Sequence, residues 1–221
     1  MGILSASIAR KVAMALSGLF LVFFLAQHFT INITSVINPE TFNSWSHFMG
    51  TNVLVQGVLQ PILILGVIFH FIMGVVLELR NRSSRAINYK VYKGNKNSSW
   101  ASRNMIISGL VILAFLGLHF YDFWFPEIYH KYIEVGPVDP SRYYGELVHK
   151  FQSPVRTGIY VIAFVLLAVH LWHGFSSSFQ SMGWNNMFSK SLKVFTKAYA
   201  IIIPAGFIFI ALYHYFNQLS H

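Results

Sequence analysis

The chain has 221 residues, of which 55% are hydrophobic, 17% aromatic and only 10% charged; a water-soluble domain carries about a quarter charged residues, so the composition points to a lipid bilayer as solvent. Cysteine is absent, which excludes disulfides, thiolate-held iron–sulfur clusters and covalent haem attachment through Cys-x-x-Cys-His. Metal chemistry would have to use the ten histidines, and the formal net charge of +9 has to be read first as membrane topology.

In chain order, five segments reach the roughly 20 apolar residues that a span needs: about 12–34, 53–78, 104–125, 155–177 and 198–217. The expected fold class is an all-α integral membrane protein. It forms one domain over residues 1–221, with the first four of five transmembrane helices forming a bundle. The first run is too long for a signal-peptide core of about 7–15 residues and is read as a retained helix. Pro61 and Pro204 fall inside spans, where neighbouring helices tolerate them. The sequon Asn32-Ile-Thr34 lies in the first span and is read as fortuitous.

Charge is segregated between the two ends of these spans. Arg10 and Lys11, then Arg80, Arg82, Arg85, Lys90, Lys93, Lys96 and Arg103, then Lys190, Lys193 and Lys197 all fall on one side. Glu40, Asp122, Glu127, Glu134, Asp139 and Glu146 fall on the other. The positive-inside rule puts the N-terminus in the cytoplasm and the C-terminus outside. The basic charge is thereby accounted for as topology, and no nucleic acid partner is expected; membrane lipid is.

The first and third spans carry an internal repeat. Ser17-Gly-Leu-Phe-Leu-Val-Phe-Phe-Leu-Ala-Gln-His28-Phe matches Ser108-Gly-Leu-Val-Ile-Leu-Ala-Phe-Leu-Gly-Leu-His119-Phe at seven of thirteen positions. The second and fourth share a weaker one, His70-Phe-Ile-Met-Gly74 against His170-Leu-Trp-His-Gly174. Helical rise places His28 and His119 about 22–24 Å above the cytoplasmic ends of their spans, and His70 and His170 about 12 Å above theirs. Two level-matched pairs result, roughly 11 Å apart.

Ionisable residues inside a membrane are costly and usually functional. A single histidine there is ordinarily helix glue, but four in two matched pairs point to two stacked haems, each held by two imidazoles. Such irons have no open position and transfer electrons. Two levels of two ligands suit haem better than a four-ligand zinc or copper site. Gly74 and Gly174, four residues past their histidines, leave room for a macrocycle, and Ser17 and Ser108 are small at the level of the other haem. His173 competes with His170 but sits about 4.5 Å too near the cytoplasm. His214 is expected at the interface, and His47, His130, His149 and His221 in loops or at the terminus. The aromatic run Phe120, Tyr121, Phe123, Trp124 and Phe125 reads as an interfacial belt. His47 or Glu40 is a weaker candidate for accepting protons near an outer quinone site.

These features resemble the single-chain, di-haem cytochrome b anchors of succinate:quinone oxidoreductases, the succinate dehydrogenases and quinol:fumarate reductases. The resemblance covers nearly the whole chain. It rests on five spans with one histidine in each of the first four, on His170, Gly174 and Gly183, and on Ser7, Arg10 and Lys11 leading into Ser17-Gly18. It implies two haem b groups, an outer (distal) one on His28 and His119 and an inner (proximal) one on His70 and His170. It further implies an FAD-containing flavoprotein subunit, an iron–sulfur subunit at the inner haem, a quinone (menaquinone) at the outer haem, and residence in a bacterial cytoplasmic membrane. Some members carry a membrane glutamate two residues before the last ligand; here Ala168 stands there, so that proton route is not expected. The cytochrome b of a hydrogenase or formate dehydrogenase is the nearest rival, and a haem-free scaffold or transporter the rival from another class.

Overall fold

The computed structural model describes residues 7–83, 105–184 and 189–219. The start of the third span at Asn104, the basic residues Arg85, Lys90, Lys93, Lys96 and Arg103, and His221 lie outside the described residues.

No strand occurs among the described residues. Helix α1 (Ser7–Ile37) leads into α2 (Pro39–Thr51), which starts where the Asn38 side chain accepts the Thr41 N–H at 2.8 Å and Pro39 presets the first turn. A π-helical turn, Val55–Leu59, opens α3 (Gln60–Ser83). Helix α4 (Met105–His119) continues through a second π-helical turn, Phe120–Trp124, into α5 (Phe125–Tyr132). Then come α6 (Arg142–Phe151), α7 (Pro154–Ser181) and α8 (Ser189–Leu219).

Five stretches are long and apolar enough to span a membrane: Ile8–Ile37, Val55–Asn81, Met105–Tyr132, Pro154–Ser181 and Lys190–Asn217. The chain is an all-α integral membrane protein. Each span outruns its expected limits at one end or both, because hydropathy falls at the first polar residues while backbone hydrogen bonding continues through them. The polarity is inverted as a hydrocarbon solvent requires. Phe23, Leu65 and Val155 are 76%, 65% and 71% exposed, while Ser35, Ser108, Asp122, Thr157, Thr196 and His214 are buried.

Helix α7 ends in a Schellman cap. Gly183 takes φ +79°, its N–H bonds the Gln180 carbonyl at 3.1 Å, and the Trp184 N–H bonds that of Phe179 at 3.1 Å. Glycine is required there by its backbone. Gly206 is required by space instead: a Cβ on it would run into the ring of Phe29 on α1.

The connections α2 and α6 were expected as loops and are helices. They cap the acidic end of the bundle, where Phe42, Leu147 and Phe151 join a core with Tyr160 and Phe164 of α7 and Ile203, Phe207, Ile210 and Ala211 of α8. Asn43 Oδ1 accepts the Tyr144 N–H at 2.7 Å and fastens α2 to α6. Accordingly His47, His130 and His149 stand on α2, α5 and α6 rather than in loops. Both connections are too short and polar to register as spans, and their apolar contacts arise only once the bundle forms. Glu127 on α5 is the ionic centre of this end. It pairs with Lys131 at 2.5 Å and with Arg142, which also holds Glu146 at 2.5 Å. Lys131 reaches the Gly50 carbonyl. Beside them, burial and the Glu127 charge push the Tyr143 phenol up to about 12.

Candidate functional site

Helices α1, α3, α4 and α7 each bring one histidine inward. The ring centroids of His70 (α3) and His170 (α7) lie 6.4 Å apart with planes crossing at 69°. Those of His28 (α1) and His119 (the last residue of α4) lie 5.7 Å apart, crossing at 88°. His173, the competing candidate, does not face His70; it lines a groove between α7 and α8 with Trp172 and Lys197.

The pair nearer the basic end has a shared second layer. Ser17 donates its hydroxyl proton to the Met14 carbonyl at 2.9 Å, and its Oγ lies 3.0 Å from His70 Nδ1. Ser108 donates to the Met105 carbonyl at 2.9 Å, with its Oγ 3.2 Å from His170 Nδ1. With its proton on the carbonyl, each serine oxygen would accept from an Nδ1–H. That tautomer would leave the Nε2 lone pair of both rings free, the arrangement by which an outer hydrogen bond fixes the tautomer of a metal-binding imidazole.

The same construction repeats in the surrounding small residues. A Cβ on Gly18 would stand 3.3 Å from His70 Cε1, and one on Gly109 would stand 3.7 Å from His170 Cε1. Gly74 faces Met14 and Gly174 faces Met105, at 3.6 and 3.3 Å from where their Cβ atoms would be. Reading the sequence missed the methionines and treated the serines only as small. The signal was present as Met-x-x-Ser-Gly at Met14 and again at Met105.

Ser17 and His28 are eleven residues apart on α1, and Ser108 and His119 are likewise on α4. With each serine at a ring of the other pair, the two levels are separated by about 16 Å of helix. This exceeds the expected 11 Å because the span ends used as depth markers are not level with one another.

The pair nearer the acidic end is enclosed by aromatic rings. Phe24 and Phe207 lie 5.5 and 5.7 Å from His28; Phe123, Phe115 and Tyr160 lie 5.3, 5.9 and 6.3 Å from His119. Asn32 Nδ2 donates to the His28 carbonyl at 2.8 Å and stands 3.4 Å from both ring nitrogens. His119 Nδ1 is buried without a hydrogen-bond partner.

The π-helical turn after His119 carries Asp122 into the interior. Its Oδ2 accepts from Tyr160 OH at 2.9 Å and pairs with Arg156 Nε at 3.2 Å, whereas its Oδ1 is buried and unpartnered. Trp124 Nε1 is likewise buried and unpartnered. Three orphaned polar atoms thus fall within six residues, in the kind of π-helical segment that often marks a functional site. Of the aromatic run read as an interfacial belt, Tyr121 and Phe125 are exposed, while Trp124 is half-buried with its Nε1 inward. His214, near the outer end of the fifth span, is buried in the bundle, with Nε2 2.9 Å from Ser35 Oγ, which also reaches the Asn32 carbonyl at 2.7 Å.

Two imidazoles on opposite sides of one metal ion, each at about 2.0–2.1 Å, would stand with ring centroids about 6.3 Å apart. The His70–His170 pair has that spacing, and the His28–His119 pair is slightly tighter. No three His, Asp or Glu residues converge among the described residues. The donor sets are therefore pairs, suited to a metal whose other ligands come from a planar macrocycle. No protein-family model, curated protein or solved structure matches the chain.

Proposed function

We propose that the chain is a di-haem cytochrome b, the membrane anchor and electron-transfer subunit of a succinate:quinone oxidoreductase. The observation that carries this reading is the His70–His170 pair, set at bis-imidazole spacing with both Nδ1 atoms engaged by serine. His70 and His170 would hold the inner haem, and His28 and His119 the outer one. Bound there, two six-coordinate irons supply one-electron transfer between the levels. The chain's own residues position the ligands, exclude water from the outer pair with a shell of phenylalanines, and present Gly18 and Gly109 where the macrocycle needs room.

The resemblance supplies the rest of the reading. The basic end faces the cytoplasm of a bacterium and meets an iron–sulfur subunit, itself fed by an FAD-containing subunit that carries the dicarboxylate chemistry. A quinone, menaquinone by the same resemblance, exchanges electrons at the acidic end. The orphaned Asp122 Oδ1 and Trp124 Nε1 support a polar ligand there. The deciding experiment is a reduced-minus-oxidised visible spectrum with haem quantitation on the purified chain. Two b-type haems per chain are expected, and their absence refutes the proposal in favour of a haem-free scaffold. Co-purification of flavin and iron–sulfur polypeptides from the native membrane tests the assignment against a hydrogenase or formate dehydrogenase subunit.

A further inference from the structure

At the basic end, α7 and α8 flank an open groove of about 230 Å³ lined by residues that include Trp172, His173, Ser176, Gln180, Lys193 and Lys197. Lys193 and Lys197 are one turn apart on α8, a spacing at which like charges repel. Neither has a carboxylate within ion-pair distance among the described residues. The chain has little to offer them, since six of its seven acids stand at the opposite end and the seventh, Glu78, is on α3. Lys197 Nζ instead lies 5.1 Å from the Trp172 ring centroid, a contact that orients the ammonium without neutralising it. The hydroxyl of Ser176 and the amide of Gln180 add neutral donors to the same wall.

We propose that this groove binds the phosphate of an anionic phospholipid headgroup. Two uncompensated lysines with hydroxyl and amide donors form a phosphate site, and basic pockets between spanning helices take such headgroups. A lipid, rather than a soluble phosphate, is favoured by the surface continuing from the groove towards the membrane interior. There Val165 on α7 and Ile201 on α8 are 50% and 53% exposed and offer the acyl chains an apolar track. Trp172, 41% exposed, stands at the boundary between the two zones, where tryptophan concentrates. This site depends on neither haem nor partner subunit.

The test is native mass spectrometry of the full chain in detergent, exchanged with vesicles of phosphatidylglycerol or of phosphatidylcholine. Preferential retention of phosphatidylglycerol is expected, falling about fivefold for each of Lys193→Gln and Lys197→Gln. Lys11→Gln, an exposed basic residue at the same end but outside the groove, should leave retention unchanged. Millimolar inorganic phosphate should not displace the lipid. Both lysines are exposed, so an unchanged melting temperature verifies that the variants fold. Equal retention of the two lipids, an equal loss in Lys11→Gln, or displacement by inorganic phosphate each overturns the proposal; the last assigns the pocket to a soluble anion.

Discussion

Ser17 on α1 and His70 on α3 are joined at 3.0 Å with the serine proton already given to the Met14 carbonyl. In that arrangement the hydroxyl accepts from the Nδ1–H and sets which nitrogen of a ring on another helix is free. Ser17→Ala strands the His70 Nδ1–H, at a cost of about 1–3 kcal/mol to the fold. It should also lower affinity for the inner haem by about 10–100-fold. Ser17→Thr, which keeps the hydroxyl, should retain it. Haem content and the spectral band of the inner centre report both effects, and an unchanged inner centre in Ser17→Ala would refute the role.

His170→Ala and His173→Ala separate two neighbours that sequence spacing left in competition. Only His170 faces His70 and only His170 meets Ser108. Loss of one haem is expected in His170→Ala and no loss in His173→Ala, measured as haem per polypeptide.

Asp122 is buried against Arg156 and Tyr160. Asp122→Asn keeps the shape but leaves Arg156 without its counter-charge. Because Arg156 is partly exposed, the cost should sit near the low end for a broken buried pair, about 3 kcal/mol. Thermal unfolding in detergent measures it. The double variant Asp122→Asn/Arg156→Gln should recover part of the loss, and a fully additive result would contradict the coupling.

Gly206→Ala should destabilise by about 1–3 kcal/mol through overpacking against Phe29. Phe29→Leu in the same chain should relieve most of it. Melting temperatures of the four proteins complete the cycle.

Tyr143 gives the acidic end a defined response to alkali. Its phenol is raised from 10.0 to about 12, chiefly by burial, so the folded state holds its proton more tightly than the unfolded chain does. The contribution is complete below the unfolded value and is lost as pH rises from about 10 to 12. Melting temperature should fall over that window, and less steeply in Tyr143→Phe.

The spans were legible because about 20 consecutive apolar residues satisfy their backbone locally and need no partner to be recognised. The pairing of the four histidines was legible from helical rise alone. What escaped notice depends on contacts between helices. The serine hydroxyls were counted as small volumes, although they lie at hydrogen-bond distance from rings on α3 and α7. Asp122 read as one more outer acid, since only the π-helical turn rotates it into the bundle. The helices α2 and α6 are amphipathic only relative to a surface supplied by α7 and α8, so their patterns had no reference until the bundle existed.

The doubled Met-x-x-Ser-Gly construction has a consequence for how such a molecule can arise and assemble. Helices α1 and α3 form one half, and α4 and α7 repeat it in the same orientation, so the halves are related by an axis along the membrane normal. Each histidine pair takes one ring from either half, and neither half contains a complete pair. A duplicated two-helix ancestor could therefore have held both pairs only as a parallel homodimer, with each metal on the dyad. In the present chain both pairs straddle the seam between the halves, so a metal bound at either level would close that seam.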